Sequence, residues 1–289
     1  MTFARRRIDV TIQLGSGTFG ETVGDTVTLT GLRVGAYVAS VGGEAQGTCQ
    51  CRIFGLPMSL INQLTTIGPV GWQIRGKNAI QIAAGIDGDA LSTVFEGTIL
   101  NAWGELGQQP DAALSIFGTS AAVAALKPAQ ATSFKGAVDV ATIMAGFAKA
   151  MGFTFENNGV SVILSNPYFS GSTLDQIKSA ARAARIAYTT DNGVLAIWPK
   201  NGYRVGEVPV LAPGAGLVSY PTFNETYLAA RATFTPAATL GGQFRIQGSQ
   251  VTLANGLWTI ASVNHTLESQ MPNGAWFTDL QGYVTDGTK

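Results

Sequence analysis

Between Phe134 and Trp198 the chain runs through one local order twice, and this duplication restricts what it can fold into more than any other feature. Val140 to Met151 sets Ile143, Met144, Phe147 and Met151 at helical spacing, with Asp139 placed to cap the start and Gly152 to end it. Phe153 to Glu156 and Val160 to Leu164 alternate across Asn157-Asn158-Gly159, whose Asn-Gly pair suits the left-handed turn of a tight hairpin. Ser172 then opens a second helix, with Asp175 three residues on as a variant capping box and Leu174, Ile177, Ala181 and Ala184 on its apolar side. Ile186 to Thr190 and Val194 to Trp198 flank another such turn, Asp191-Asn192-Gly193. Helix, strand, turn and strand, twice over, predict a compact α+β module within residues 121–200.

The flanks read as strands. Ile8, Val10, Ile12 and Leu14 alternate with polar residues, which gives one buried and one wet face. From Thr26 to Ser40 the apolar set shifts phase at Gly31, the mark of a bulge in a bending strand. Gly47 to Leu56, Trp72 to Ile74, Ala79 to Ala84, Thr93 to Trp103 and Ala112 to Phe117 follow as strands, with a short helix from Pro57 through Leu64. Gly-rich turns at this spacing predict a closed or nearly closed barrel over 1–120. Ala121 to Ala131 is a small-residue linker, and Gly202 to Gly216, rich in Gly and Pro, reads as loop. Leu217 to Tyr220, Tyr227 to Phe234, Gln243 to Gln247, Leu257 to Glu268 and Trp276 to Val284 complete a second barrel over 201–289. The fold class is mainly β (α+β), two β-barrel domains flanking a small helix and hairpin module.

Charge decides the class of function. Charged residues are 12% of the 289, against roughly 25% in ordinary soluble domains. No stretch reaches the ~18 uninterrupted apolar residues of a membrane helix, so membrane insertion is not expected. The remaining outlet for so few charges is a large permanent protein interface, which is charge-poor. Eighteen basic and eighteen acidic residues cancel, and Arg5-Arg6-Arg7 is too short for a nucleic-acid arm, so it reads as a solvated terminus. The start lacks an apolar leader, which implies synthesis into a cytoplasm. Cys49 and Cys51, two apart on one strand face, would strain a disulfide, and no partners stand by for a metal, so both read as small buried residues.

Apparent catalytic motifs fail in context. Gly15-Ser-Gly17-Thr-Phe-Gly20 matches a dinucleotide fingerprint but needs a helix N-terminus behind it, where Glu21 to Thr30 reads as turn and strand. Asp87-Gly88-Asp89 lacks the other ligands of a calcium loop. His265 is the sole histidine, lies in a strand, and has no Gly-x-Ser-x-Gly elbow to serve. The sequons at Asn224 and Asn264 carry no weight without secretion. The reading is of a non-enzyme with no cofactor and no metal.

The order of parts then becomes recognisable. A barrel with one helix, a module ending Leu195-Ala-Ile-Trp198-Pro199, and a second barrel opening Gly216-Leu-Val-Ser-Tyr-Pro221 resembles the baseplate hub proteins of phage tails. The last barrel of that family is matched by Gly241-Gly242, Gly256-Leu-Trp258-Thr-Ile260, Val263-Asn-His265 and Trp276-Phe-Thr-Asp-Leu280-Gln-Gly282. The resemblance implies tube-like barrels and a homotrimer whose six barrels form a ring of pseudo-sixfold symmetry. It implies a tail tube or distal tail protein on one side, a central spike protein on the other, peripheral baseplate proteins around it, and genomic DNA passing through without specific binding. It also places the protein in the virion, assembled in the host cytoplasm. Any puncturing or wall-degrading activity then falls to a separate partner. Related domains head the spikes of type VI secretion, so a hub in such a device is an alternative. A different class is a small-ligand or carbohydrate-binding β protein with Trp72, Trp103, Trp258 and Trp276 as stacking platforms. Lys178, Arg182 and Arg185 follow helical spacing along one side of the second helix and are the candidate partner-facing residues.

Overall fold

The computed structural model describes residues 5–19, 24–42, 44–66, 78–107, 111–126 and 128–285. Two compact units divide the chain: 1–39, 47–122 and 264–277 make the first, and 40–46, 123–263 and 278–289 the second.

The first unit is built on β1 (Arg6–Gln13), β2 (Thr26–Leu29), β3 (Val34–Val41), β4 (Thr48–Phe54), β5 (Ala79–Ile86), β6 (Ser92–Glu105) and β7 (Ala113–Thr119). They run antiparallel in the order β3-β4-β7-β6-β5-β1-β2. The period-two pattern sets the core: Ile8, Val10 and Ile12 pair with Ala84, Ile82 and Ile80, and Cys51 and Ile53 with Ile116 and Leu114, all buried. Helix α1 (Met58–Leu64), begun after Pro57, adds Ile61 and Leu64 to the buried set. The bulge in β6 between Ile99 and Asn101 changes which parity faces inward, so Ile99 before it and Ala102 after it are both buried. Segment 264–277 reaches both sides of the arc. Ser269 Oγ donates to the Leu32 carbonyl at 3.2 Å, and Arg6 Nη1 to that of Gly274 at 2.6 Å.

Three expectations are corrected here. Gly31, with φ +68°, is a turn rather than a bulge, because β2 pairs with β1 while β3 pairs with β4. The Arg5 to Arg7 run is not merely solvated: Arg6 stacks 5.5 Å over Trp276 and Arg7 pairs with Asp9 at 2.7 Å. Ala121 to Ala131 contains a short helix, α2 (Ala122–Leu126). The strand expected at Trp72 to Ile74 lies outside the described residues.

The second unit holds the module and a barrel. The module comprises β8 (Thr132–Ser133), β9 (Ala137–Asp139), α3 (Val140–Met151), β10 (Thr154–Asn157), β11 (Ile163–Ser165), β12 (Tyr168–Phe169), α4 (Thr173–Ala184), β13 (Ile186–Thr189) and β14 (Val194–Pro199). Both caps of α3 fall where the sequence puts them: the Asp139 side chain accepts from Ala141 N, and Gly152 turns left-handed at φ +74°. At α4 the Ser172 and Asp175 box is complete in both directions. The two helices pack over sheet β10-β14-β13, with Ile143, Met144, Phe147, Ile177, Ala181, Leu195 and Ile197 in one core.

Only the second hairpin forms. Asn192 and Gly193, at φ +52° and +69°, make the two-residue turn between β13 and β14. After β10 the chain turns at Asn157, whose side chain accepts from Val160 N and donates to Val160 O, but no β10 hairpin follows. Instead β10 pairs in parallel with β14, and β11 pairs with β9. The reason is burial. Away from β10, Val160 is buried in the core shared by both helices and Val162 and Leu164 pack against it.

The barrel comprises β15 (Val210–Pro213), β16 (Gly216–Leu217), β17 (Thr222–Phe223), β18 (Leu228–Thr233), β19 (Gln243–Ile246), β20 (Gly256–Ser269) and β21 (Trp276–Tyr283). It closes as a ring of six, β18-β16-β15-β19-β20-β21 and back to β18, with β17 outside it. Leu211, Leu228, Phe244, Ile246, Ile260 and Leu280 fill its core. The Gly202 to Gly216 loop is therefore corrected too: it contains β15, a strand of the ring, because Leu211 is apolar enough to be buried between glycines and prolines.

Candidate functional site

Among the described residues no reactive centre is assembled. His265 is buried in β20, and burial lowers its pKa to about 4, so it is neutral at pH 7. Among the described residues no group of three His, Cys, Asp or Glu side chains could hold a metal. Asp87 sits in the turn after β5 as a partner of Arg5 and Arg7. The glycine run after β1 leads to β2, not to a helix, and its Gly20 and the following Glu21 lie outside the described residues. Cys49 and Cys51 are free thiols in the core, and burial pushes Cys51 up to about 12.

The family-like motifs resolve into packing. Gly241, at φ +78°, lies under the ring of Trp198, where a Cβ would come 2.4 Å from Cζ2. The strand-end tryptophan of the module and the paired glycines of the barrel are thus one contact. Gly282 similarly leaves room for Phe244 and Trp258, with a Cβ position 2.7 Å from Phe244 Cε1. Trp258 Nε1 donates to the Ala254 carbonyl at 2.8 Å, and both Trp258 and Trp276 are buried, so neither is a stacking platform. Trp72 lies outside the described residues.

The three candidate cations separate. Arg182 grips Glu44 with two nitrogens, at 2.5 and 2.7 Å, and this hydrogen bonding holds the Glu44 carboxyl below its usual range. Lys178 is half-buried one turn earlier on α4 and adds to the field at Glu44. Arg185 is exposed, but it is the left-handed cap at φ +54° rather than a helical residue. The side of α4 is therefore partly occupied by an intrachain ion pair. Glu44, in the turn between β3 and β4, gave no sequence signal because its partner is 138 residues away.

A second surface was not anticipated. The outward face of β3, β4, β7 and β6 in the first unit carries a hollow of about 480 Å³. Register places Tyr37, Gln50, Phe117 and Asn101 in one row across the strands, and Gly35, Arg52, Ser115 and Trp103 in the next. Tyr37 is 41% and Trp103 36% exposed. Arg52 pairs with Glu105, which also accepts from Ser115 Oγ at 2.5 Å; the Ser115 bond and then Arg52 hold Glu105 below the usual carboxylate range. The signal was present as outward positions alternating with Cys49, Cys51 and Ile116.

With this geometry in hand, comparison with known proteins gives a consistent picture. The family model described as "Baseplate hub gp41" matches residues 7–277. No curated protein sequence matches. Among solved structures, the 43 kDa tail protein of prophage MuSo2 from Shewanella oneidensis is similar with a TM-score of 0.59 at 12% identity, covering 95% of this chain and 96% of that one. A tail protein from Neisseria meningitidis MC58 is similar at 0.57 and 13%, covering 97% of each. An E. coli component of the type VI secretion system, itself described as similar to the T4 tail proteins gp27 and gp5, is similar at 0.59 and 10%, covering 89% of this chain and 74% of that one. At these identities the structural likenesses speak for the fold.

Proposed function

The chain belongs to the baseplate hub gp41 family, and from that premise we propose that it is the structural hub of a phage tail, a homotrimeric ring joining a hexameric tail tube to a trimeric spike. The observation that carries the reading is the presence of two β units in one chain, one a closed ring of six strands and the other an arc of seven. Residues 1–120 and 201–289 act as the two tube-like domains, with 121–200 as the module between them. Three copies supply six such β units, the number that adapts a sixfold tube to a threefold spike. A heterologous interface that closes on itself leaves no free edge at which to aggregate. Tail tube or distal tail protein, central spike and peripheral baseplate proteins are its partners, and genomic DNA passes along the axis. The role is non-enzymatic and belongs to the virion.

Light scattering on the purified protein, followed by cryo-EM of its complex with the tail tube, tests this. The expected result is a trimer with an axial opening about 20–30 Å wide, enough for a duplex whose major groove alone is ~12 Å across. A monomer, a dimer, or a tube-bound trimer without an opening refutes it.

A further inference from the structure

Packing does not account for two residues that line the hollow on β3, β4, β7 and β6. Gly35 is not left-handed, and a Cβ built on it would meet nothing within 4 Å among the described residues, so neither backbone nor core calls for glycine there. What a larger side chain would take away is the hollow itself, about 480 Å³, which lies within the roughly 300–1,000 Å³ of small-molecule sites. Asn101 owes its place to the bulge in β6. In an unbroken strand it would share the inward face of Ile99, but the extra residue between them turns Asn101 and Trp103 outward, to join the two rows of the hollow.

The groups gathered here fit one class of ligand. Tyr37 and Trp103 hold out aromatic rings, and Trp103 is the exposed one of the tryptophans described. The side-chain amides of Gln50 and Asn101 make no hydrogen bond among the described residues, so each keeps two donors and an acceptor for a guest. The charged groups are already engaged, Arg52 by Glu105 and Glu268 by the Ala275 backbone N, which donates to it at 2.7 Å. An ionic ligand therefore meets no free counter-charge, and a wholly apolar one would strand both amides without partners. A neutral sugar meets both demands, since its ring offers a face of C–H bonds to the negative face of an aromatic ring and a rim of hydroxyls that donate and accept. Tyr37 and Trp103 stand three strand spacings apart, about 14 Å, so an oligosaccharide rather than a single sugar touches both. We infer that this face of the first unit is a binding site for a neutral oligosaccharide, with Tyr37 and Trp103 as stacking platforms, Gln50 and Asn101 as the groups that bind its hydroxyls, and Gly35 as the opening that admits it.

Isothermal calorimetry on the purified full chain tests the inference, with maltotetraose, cellotetraose and chitotetraose as probes. At least one should bind, with the same affinity at about 50 and about 200 mM salt, because a neutral ligand displaces no counterions. Trp103→Ala should weaken that binding about tenfold, and Trp103→Phe, which keeps a ring, by less. Gly35→Leu puts a side chain into the open space above the strand and should abolish binding. Circular dichroism and light scattering establish that each variant keeps the fold and mass of the wild type, and if Gly35→Leu misfolds, Trp103→Ala decides alone. Failure of the wild type to bind any of the three probes overturns the inference, as does binding that is undiminished in a folded Gly35→Leu or Trp103→Ala variant, or an affinity that falls with salt. The hub reading is tested apart from this: a chain that binds the sugar but forms no trimer sinks the hub reading alone, and a trimer that binds none of the probes sinks the sugar site alone.

Discussion

Substitution of Gly241 by Ala measures how firmly the module is seated on its barrel within the second unit. Two separate penalties arise. At φ +78° an L side chain costs about 1–2 kcal/mol against glycine. The new Cβ would also lie 2.4 Å from Trp198 Cζ2, so the ring must move, and such overpacking costs about 1–3 kcal/mol. Gly241→Ala should therefore lose about 2–5 kcal/mol, a large part of the ~5–15 kcal/mol that holds a typical domain. Trp198→Ala should lose about 3–5 kcal/mol as a core cavity. The ring is held by shape, since Nε1 is buried with no hydrogen-bond partner among the described residues. In the Trp198→Ala background the overlap is gone, and Gly241→Ala should cost only its backbone share. The two changes should thus couple by about 1–3 kcal/mol. Urea unfolding of the four proteins by circular dichroism, at one protein concentration, gives the cycle. If Gly241→Ala costs the same with and without the Trp198 ring, the contact is incidental and the reasoning fails.

The pH dependence of stability should carry the mark of His265. Its folded pKa, about 4, lies below the ordinary 6.5, so between these values the unfolded chain takes up a proton that the folded chain refuses. Stability should fall by about 3 kcal/mol as pH drops from 6.5 to 4, and His265→Gln should remove that fall in urea titrations at pH 7, 5.5 and 4.5; an unchanged slope counts against it. On α4, reversing Arg182 and Arg185 to Glu should leave the mass of the proposed trimer unchanged in light scattering, because the Arg182 side chain is 70% exposed and its pair with Glu44 is screened by water. Collapse of the oligomer would put this helix side between protomers.

What the sequence reveals here depends on how far apart the interacting residues are. Caps and tight turns are local, so Asp139, Gly152, the Ser172 and Asp175 box and the Asn192-Gly193 turn are all legible from neighbours within a few positions. Strands that alternate, such as β1, β4, β18 and β20, are legible for the same reason, whereas β15, with only Leu211 buried among glycines and prolines, is not. Pairing is not. Asn157-Asn158-Gly159 carries the same turn signal as Asp191-Asn192-Gly193, yet only the second closes a hairpin, because β10 has β14 as a parallel neighbour from 40 positions along the chain. The same limit hid the candidate surfaces. Arg182 is helical and cationic in sequence, but its partner Glu44 is known only in space, and Arg52 needs Glu105 to become neutral.

These pairs change how the low charge content is to be read. Arg7 is taken up by Asp9, Arg33 by Asp111, Arg52 by Glu105, Arg182 by Glu44, Arg204 by Glu156 and Arg231 by Asp279. A chain that starts with few charges and closes so many of them internally projects little field, and a protein without a field cannot steer partners from a distance. Recognition then falls to shape and apolar contact, which act only at short range and discriminate by slow dissociation rather than fast capture. That is a poor design for a transient binder in competition with other proteins. It suits a part that is fitted once between neighbours already held in place, as the hub proposed above would be.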